Sequence, residues 1–177
     1  MTKPTKRFLV PCAYAVAGAL VLSSAPGSDA LAQHSGHTAK SPHEMAAANG
    51  KGAAGLIKVV RESTERFRDV ALAEAEGYSL MFGCVSGPDS GAMGLHYVNL
   101  SPVGDGILDP TRPEIVIYEP MPNGKLQLIG ADFLVFADAW HAGHTETPQL
   151  MGQLMHLFEA PNRFGLPAFY TLHVWAW

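Results

Sequence analysis

The chain has 177 residues, of which 47% are hydrophobic and 16% are charged, which is enough apolar material for one domain with a core. Its formal net charge is −4, and from residue 78 onward only Arg112, Lys125 and Arg163 are basic, against nine acids. A nucleic-acid partner requires a basic stripe, so this composition argues against one.

The first 32 residues have the layout of a secretory signal peptide. Three basic residues precede an apolar run of 15 residues, 8–22, and residues 30–32 form an A-x-A cleavage signal. The run is shorter than the ~20 residues of a membrane-spanning helix, and Pro11 and Gly18 interrupt it. We therefore expect cleavage before Gln33, a periplasmic or extracellular location, and a mature chain of net charge −6 that keeps no membrane span.

Residues 33–53 have almost no large apolar side chain, which predicts a flexible, histidine-containing arm in front of a single domain, 54–177. Cleavage before Gln33 would make His34 the second residue of the mature chain. A terminal amine beside an imidazole can chelate Cu(II) or Ni(II), so the arm is a candidate accessory metal binder. A solvated tether is the simpler alternative, because a histidine-rich tract is only compositional evidence.

Residues 55–76 predict a long helix with one apolar face. The residues of this face recur at steps of three and four positions, while charged residues lie mostly on the other side of the helix. Gly77 is a natural stop for this helix, which we expect to pack on a sheet. The positions on the inward face are Ile57, Val60, Thr64, Phe67, Ala71 and Ala75.

After Gly77 the pattern changes to strands separated by turns rich in glycine and proline. A short helix is predicted from Thr147 to about Phe158, because Thr147-Pro148 is typical of a helix start. The predicted fold class is α+β, with one long N-terminal helix packed on a mostly antiparallel sheet of about five strands. The predicted strands are 78–85, 92–99, 114–119, 125–137 and 169–177.

Two of these strands carry a histidine among apolar and aromatic residues. His96 lies in Gly-Leu-His-Tyr-Val, and His173 lies in Leu-His-Val-Trp. Strands that are apolar on both faces indicate burial, which for a single histidine most simply means a core residue bonded to a backbone carbonyl or a tyrosine. Whether the two histidines meet decides between that interpretation and a site.

A shared site is favoured by further imidazole and carboxylate residues. His156 is a third imidazole, and strand alternation places Glu119 on the face of Ile115 and Ile117, with Asp132 as an alternative carboxylate. Buried groups of this kind are costly unless they are paired or bound to metal. The sequence therefore predicts a site for Cu, Zn, Ni or Fe. The predicted ligands are His96, His156, His173 and Glu119.

Two smaller patterns have simpler interpretations. His141 and His144, with Glu146 nearby, could form a chelate, but a solvated loop fits their glycine-containing surroundings better. Met151 and Met155 have the spacing of two soft Cu(I) ligands on a helix, although methionines at this spacing are more often core residues.

A second hypothesis needs no metal. Aromatic residues of the last strand, with Tyr97 and Phe133, could line an apolar pocket, which would make the protein a small-ligand-binding or structural module. The residues of that strand are Phe169, Trp175 and Trp177. Under the metal hypothesis an open coordination position would indicate an enzyme and a closed one a binding protein, and the sequence leaves this choice and the oligomeric state open.

Residues 60–177 resemble a family of uncharacterised exported bacterial proteins. The resemblance implies no activity, but it implies that such chains continue past the last tryptophan in an Asn-, Pro- and Gly-rich tail that can end in cysteine, so Cys84 would lack its bridge partner here. From the residues alone, Cys84 is a small buried hydrophobe, a free thiol or half of a bridge. The segments that carry the resemblance are Phe67-Arg-Asp-Val, Glu76-Gly-Tyr, Gly91-Ala-Met-Gly-Leu-His-Tyr, Leu108-Asp-Pro, Pro113-Glu, Val116-Ile-Tyr-Glu, Gly124-Lys-Leu, Leu128-Ile-Gly and Leu172-His-Val-Trp-Ala-Trp.

Overall fold

The structure, a computed structural model, describes residues 42–87 and 91–177. The predicted signal peptide and residues 33–41 of the predicted arm lie outside this range, so cleavage, export and metal binding by His34 stay predictions. None of the described helices is long and apolar enough to cross a bilayer.

The region of the predicted helix 55–76 is helical but interrupted. Helix α1 begins at Pro42, inside the predicted arm, and ends at Thr64; a 3-10 turn follows, and Asp69 separates it from the next α-helix. The backbone of Asp69 is extended (φ −92°, ψ 108°), and its side chain accepts a hydrogen bond from the Ala71 N–H, which caps the next helix. The helical elements are α1 (Pro42–Thr64), a 3-10 turn (Glu65–Arg68), α2 (Val70–Ala75), α3 (Leu100–Val103) and α4 (Ala137–His141).

The described strands confirm an α+β fold with an antiparallel sheet. Six of them form one sheet in the order β1-β2-β3-β4-β8-β7, in which every neighbouring pair is antiparallel, and β5 and β6 form a separate hairpin. The main sheet thus has one strand more than predicted. The strands are β1 (Tyr78–Gly87), β2 (Gly91–Asn99), β3 (Ile115–Pro120), β4 (Leu126–Phe136), β5 (Gln149–Leu150), β6 (Gln153–Leu154), β7 (His156–Phe158) and β8 (Phe169–Trp175).

The prediction of a short helix from Thr147 to about Phe158 is wrong. This segment forms β5, β6 and β7 instead. Met151 and Gly152, between β5 and β6, have positive φ angles of 50° and 83°. Two successive residues in this conformation make a type I′ hairpin turn and are incompatible with an α-helix.

Helices α1 and α2 and the 3-10 turn cover one face of the sheet. Leu56 and Val60 of α1 pack against Phe133 and Val135 of β4, in a fully buried cluster. Further along, the 3-10 turn is fixed to the sheet by the buried Tyr118, whose hydroxyl donates a hydrogen bond of 2.7 Å to the Phe67 carbonyl. This helical face therefore forms the larger part of the core.

The opposite face of the sheet is concave and carries a second apolar cluster. Val103 of α3 covers this face at one end, and the segment 159–168 contributes Phe164 and Leu166. The cluster includes Val98, Ile115, Ile117, Leu134 and Phe169. The residues of interest for function lie on this concave face.

Three bulges and two glycines allow the sheet to curl. Register shifts leave Phe82 and Gly83 of β1 and Met93 of β2 unpaired in the β1–β2 ladder, and Ile129 of β4 unpaired in the β3–β4 ladder. At Gly94, where φ is +94°, a Cβ would lie 2.7 Å from the Tyr118 carbonyl oxygen, and at Gly130 it would lie 2.5 Å from that of Val174. Because neither position has room for a side chain, neighbouring strands approach closely there.

Candidate metal centre

Three side chains from three strands converge on the concave face. His96 comes from β2, Asp132 from β4 and His173 from β8. The two Nε2 atoms lie 3.3 Å apart, and His173 Nε2 lies 3.6 Å from Asp132 Oδ2. One ligand atom from each residue falls within 4.8 Å of the others. His96 and Asp132 are buried, whereas 23% of the His173 side chain is exposed.

The meeting of the two histidines depends on the curl of the sheet. Their strands, β2 and β8, are separated by β3 and β4. Three strand spacings amount to about 14 Å in a flat sheet. The distance of 3.3 Å between the two Nε2 atoms therefore requires that the two side chains point inward across a strongly curved surface.

Hydrogen bonds to neighbouring groups orient His96 and Asp132. His96 Nδ1 lies 3.3 Å from the Gly94 carbonyl, which can only accept, so Nδ1 carries the proton and Nε2 presents a lone pair to the centre. Asp132 Oδ1 accepts a hydrogen bond of 2.5 Å from the Thr171 hydroxyl. This leaves Asp132 Oδ2 directed at His173, and fixed tautomers and carboxylates of this kind are typical of metal centres.

The spacing of the donor atoms fits a metal ion. Two ligands at the usual ~2.0–2.1 Å from a tetrahedral ion lie about 3.3–3.4 Å apart. The distances of 3.3 Å and 3.6 Å are close to this value. Two imidazoles and one carboxylate are the ligand set of several zinc enzymes and of mononuclear non-haem Fe(II) proteins.

Burial keeps His96 available as a ligand. Loss of solvent lowers the pKa of the His96 imidazole, and a positive charge on His173 would lower it further, although the nearby Asp132 carboxylate acts in the opposite direction. A lowered pKa favours the neutral imidazole. The neutral ring is the form that binds a metal.

An apolar cavity of about 100 Å³ lies beside the three side chains, which form part of its wall. Much of its wall is aromatic. The rings of Phe82 in β1 and Phe164 in the 159–168 segment contact each other, with their centroids 5.4 Å apart, and so connect this segment to β1. Phe82 has a positive φ of 62°, which is unusual for a bulky residue. The phenylalanines of the wall are Phe82, Phe136, Phe158, Phe164 and Phe169.

Most of the aromatic residues that line the cavity differ from those that the sequence predicted for an apolar pocket. Phe169 does line the cavity, but Tyr97, Phe133 and Trp177 pack in the clusters of the helical face. Trp175 is half exposed, and its ring stacks on His173 at 5.7 Å between centroids. Alternation along β4 explains the error for Phe133, because its neighbour Asp132 faces the cavity.

The structure brings together two of the four predicted ligands. His156 lies on the edge strand β7, where its imidazole is exposed and packs against Phe158. Glu119 shares the face of Ile115 and Ile117 as predicted, but it pairs with Gln127 at the end of the β3–β4 hairpin, beyond the covered part of the sheet, and is exposed. The carboxylate of the group is the alternative one, Asp132.

The two histidines of the second pattern, His141 and His144, form hydrogen bonds with other groups and do not form a chelate. His141 bonds to the His144 carbonyl and to the Tyr170 hydroxyl, and the His144 ring bonds to the Trp140 carbonyl. The two methionines do not act together either, because Met155 is buried in the core and Met151 lies exposed in the β5–β6 turn. Cys84, in β1, is not a free thiol in this structure.

Thr171 is the site residue that the sequence did not predict. It lies two positions before His173, so strand alternation already places it on the same face. Its role depends on β4, where Asp132 pairs directly with His173 and comes within reach of the Thr171 hydroxyl. That pairing could not be inferred without the strand order.

No family model, curated protein or solved structure matches the chain. The function is therefore inferred from the geometry of the site.

Proposed function

We propose that this chain is an exported protein that binds a divalent transition metal ion through His96, Asp132 and His173. The observation that carries this proposal is the convergence of three ligand atoms within 4.8 Å, from three strands, at the wall of a cavity. The sequence-based set of three imidazoles and Glu119 is replaced by two imidazoles and Asp132.

The charge of the group supports an ion. Asp132 is 3% exposed; it accepts a hydrogen bond from the Thr171 hydroxyl and lies close to the partly exposed His173. A buried carboxylate is costly unless a positive charge or several hydrogen bonds compensate it. A divalent cation at the position shared by the three ligand atoms supplies that charge.

Of Cu, Zn, Ni and Fe, the ligand set favours Zn²⁺ or Fe²⁺. The donor atoms of the group are two imidazole nitrogens and a carboxylate oxygen, and two imidazoles with a carboxylate suit zinc and ferrous iron. Three protein ligands leave at least one coordination position for water or another molecule. Such an open position is compatible with an enzyme, and we assign no reaction to it.

The ligand assignment predicts a difference between matched variants. His173→Ala and Asp132→Asn should lower zinc affinity at least 100-fold, because each removes one of three protein ligands. His156→Ala and Glu119→Gln make the same chemical changes at the exposed positions and should keep the wild-type affinity. Zinc titration calorimetry and elemental analysis of the mature protein measure both the affinity and the stoichiometry.

All four variants keep the arm with His34, His37 and His43, so zinc held by the arm is the same in each. Equal losses in His156→Ala and His173→Ala would show that the group is not the binding site.

We also propose that the chain is exported by means of residues 1–32. The support is the basic segment, apolar run and A-x-A signal of the sequence. Expression of the full chain in a bacterial host, followed by N-terminal sequencing of the protein recovered outside the cytoplasm, should give Gln33 as the first residue. A chain retained in the cytoplasm with an intact N-terminus would contradict this.

A metal-free ligand-binding module is the second candidate, and the phenylalanine-lined cavity is the observation that favours it. In that case His173 would donate its Nε2–H to His96 Nε2, across the 3.3 Å between them. This candidate requires that a small apolar ligand binds equally well before and after treatment with a chelator.

A further inference from the structure

We propose that the cavity beside the group binds a small apolar monocarboxylate, whose carboxylate occupies the open position of the metal ion. This inference rests on the proposed metal site and specifies the class of molecule that the site takes.

The polar residues of the cavity wall lie together. Thr171 and the three proposed ligands contact one another, and the remaining wall consists of aliphatic, methionine and phenylalanine side chains together with Arg163. A molecule that fits both parts has a single polar head at the metal and an apolar body in the cavity. A sugar, a nucleotide or a polar amino acid would leave its other polar groups without partners there.

The volume limits the size of the body. The cavity measures about 100 Å³. Engineered apolar cavities of about 150 Å³ bind benzene. The body is therefore no larger than about one six-membered ring or a branched chain of similar volume, and the phenylalanines offer edge and face contacts to a ring.

The charge selects an anionic head. A divalent ion with two neutral imidazoles and one carboxylate has a net charge of +1, which is costly next to an apolar wall unless one negative charge neutralises it. Among the described residues that line the cavity, Arg163 is the only charged one besides Asp132, and it adds positive charge at the rim. Carboxylic acids are ionised at neutral pH, whereas phenols with a pKa of about 10 are not.

Benzoate and acetate separate the two parts of the proposal. Titration of benzoate into the zinc-loaded mature protein should give a Kd at least 10-fold lower than that of acetate, which has the same head and almost no body. Removal of zinc with a chelator should lower benzoate affinity at least 10-fold, because the head then loses its ion.

A variant that fills the cavity tests the location. Val103, on α3, lines the cavity and is buried, so Val103→Phe should weaken benzoate at least 10-fold while one zinc remains bound. Ile107→Phe adds a ring at an exposed position and should change neither affinity. Leu166→Phe, at another residue that lines the cavity, is a second filling variant for the case that Val103→Phe does not fold.

The outcomes distinguish this inference from the metal site itself. Zinc bound through His173, with benzoate no tighter than acetate or unaffected by both filling variants, would overturn the ligand class and leave the metal site standing. Zinc bound equally by wild type and His173→Ala would overturn the metal site and the ligand proposal together. Benzoate affinity that is unchanged by the chelator would also overturn the proposal, in favour of a metal-free pocket.

Discussion

His173 and His96 each lie in an apolar strand, and this pattern predicts that both side chains are buried. Their contact at 3.3 Å depends on the sheet, which the pattern of a single strand does not describe. Alternation predicts the face on which a side chain lies but not how far the cover of that face extends along the strand. Glu119 shows this limit, because it is on the expected face and yet exposed at a hairpin end.

The hydroxyl of Thr171 gives a prediction at the residue scale. It donates to Asp132 Oδ1 at 2.5 Å and so holds the other carboxylate oxygen towards the centre. Removal of such a supporting group lowers metal affinity by about 10- to 100-fold. Thr171→Val, which preserves the shape of the side chain, should therefore weaken zinc binding by this factor in titration calorimetry.

Thr171→Ser is the matched control, because it keeps the hydroxyl and should restore most of the affinity. If Ser and Val weaken zinc binding equally, the effect comes from packing of the Thr171 methyl group and not from the hydrogen bond.

At the scale of elements, the helix predicted from Thr147 shows how local signals can mislead. Thr147-Pro148 and two methionines four residues apart are typical of a helix, but they carry no information on the backbone at Met151 and Gly152. The positive φ angles of these two residues make a hairpin, whose turn packs against α1. The helical character of residues 55–64 was easier to predict, because the apolar face repeats at regular steps, although the predicted single helix 55–76 is interrupted after Thr64.

The contact between α1 and this turn makes two glycines of α1 respond oppositely to the same substitution. Gly50→Ala should stabilise the protein by up to about 1 kcal/mol, because alanine favours a helix and the new Cβ meets nothing within 4 Å. Gly52→Ala should destabilise it, because the Cβ would lie 2.5 Å from the Met151 carbonyl oxygen.

Urea unfolding of the two variants beside wild type measures both signs. Stabilisation by both substitutions would mean that the β5–β6 turn does not rest on α1 as described.

At the scale of the whole molecule, the site depends on strand order and curl, which no local pattern contains. The insertion of β8 between β4 and β7 sets Asp132 opposite His173, and the bulges at Met93 and Ile129 contribute to the curvature that brings His96 near. The α+β class was predictable because it follows from the order of elements along the chain. The site was only partly predictable, because three strands must first be placed in space.

Glu114 gives the global stability a dependence on pH. It is 1% exposed, and burial raises its pKa from the ordinary 4.5 to about 7, although the Leu134 N–H donates to its carboxylate. Between these values the folded protein retains a proton that the unfolded chain has lost. The contribution of Glu114 to the free energy of unfolding should therefore be highest below about pH 4.5. Between that pH and about pH 7 it should fall by up to about 1.4 kcal/mol per pH unit.

Glu114→Gln removes this titration and should flatten the stability profile between pH 4.5 and 7 relative to wild type, in urea unfolding with a chelator present. Glu119→Gln, at an exposed carboxylate, should leave the slope unchanged. A wild-type slope that persists in Glu114→Gln would assign the pH dependence to other groups.

The position of β8 has a consequence for when the centre can form. His173 follows His96 by 77 residues, and β4 has no partner on one side until β8 reaches it. A partly synthesised chain that ends before β8 has an unfinished sheet and only one of the two imidazoles. If the chain crosses a membrane as an extended polypeptide, the centre assembles after translocation, and the ion is acquired from the compartment of destination rather than from the cytoplasm.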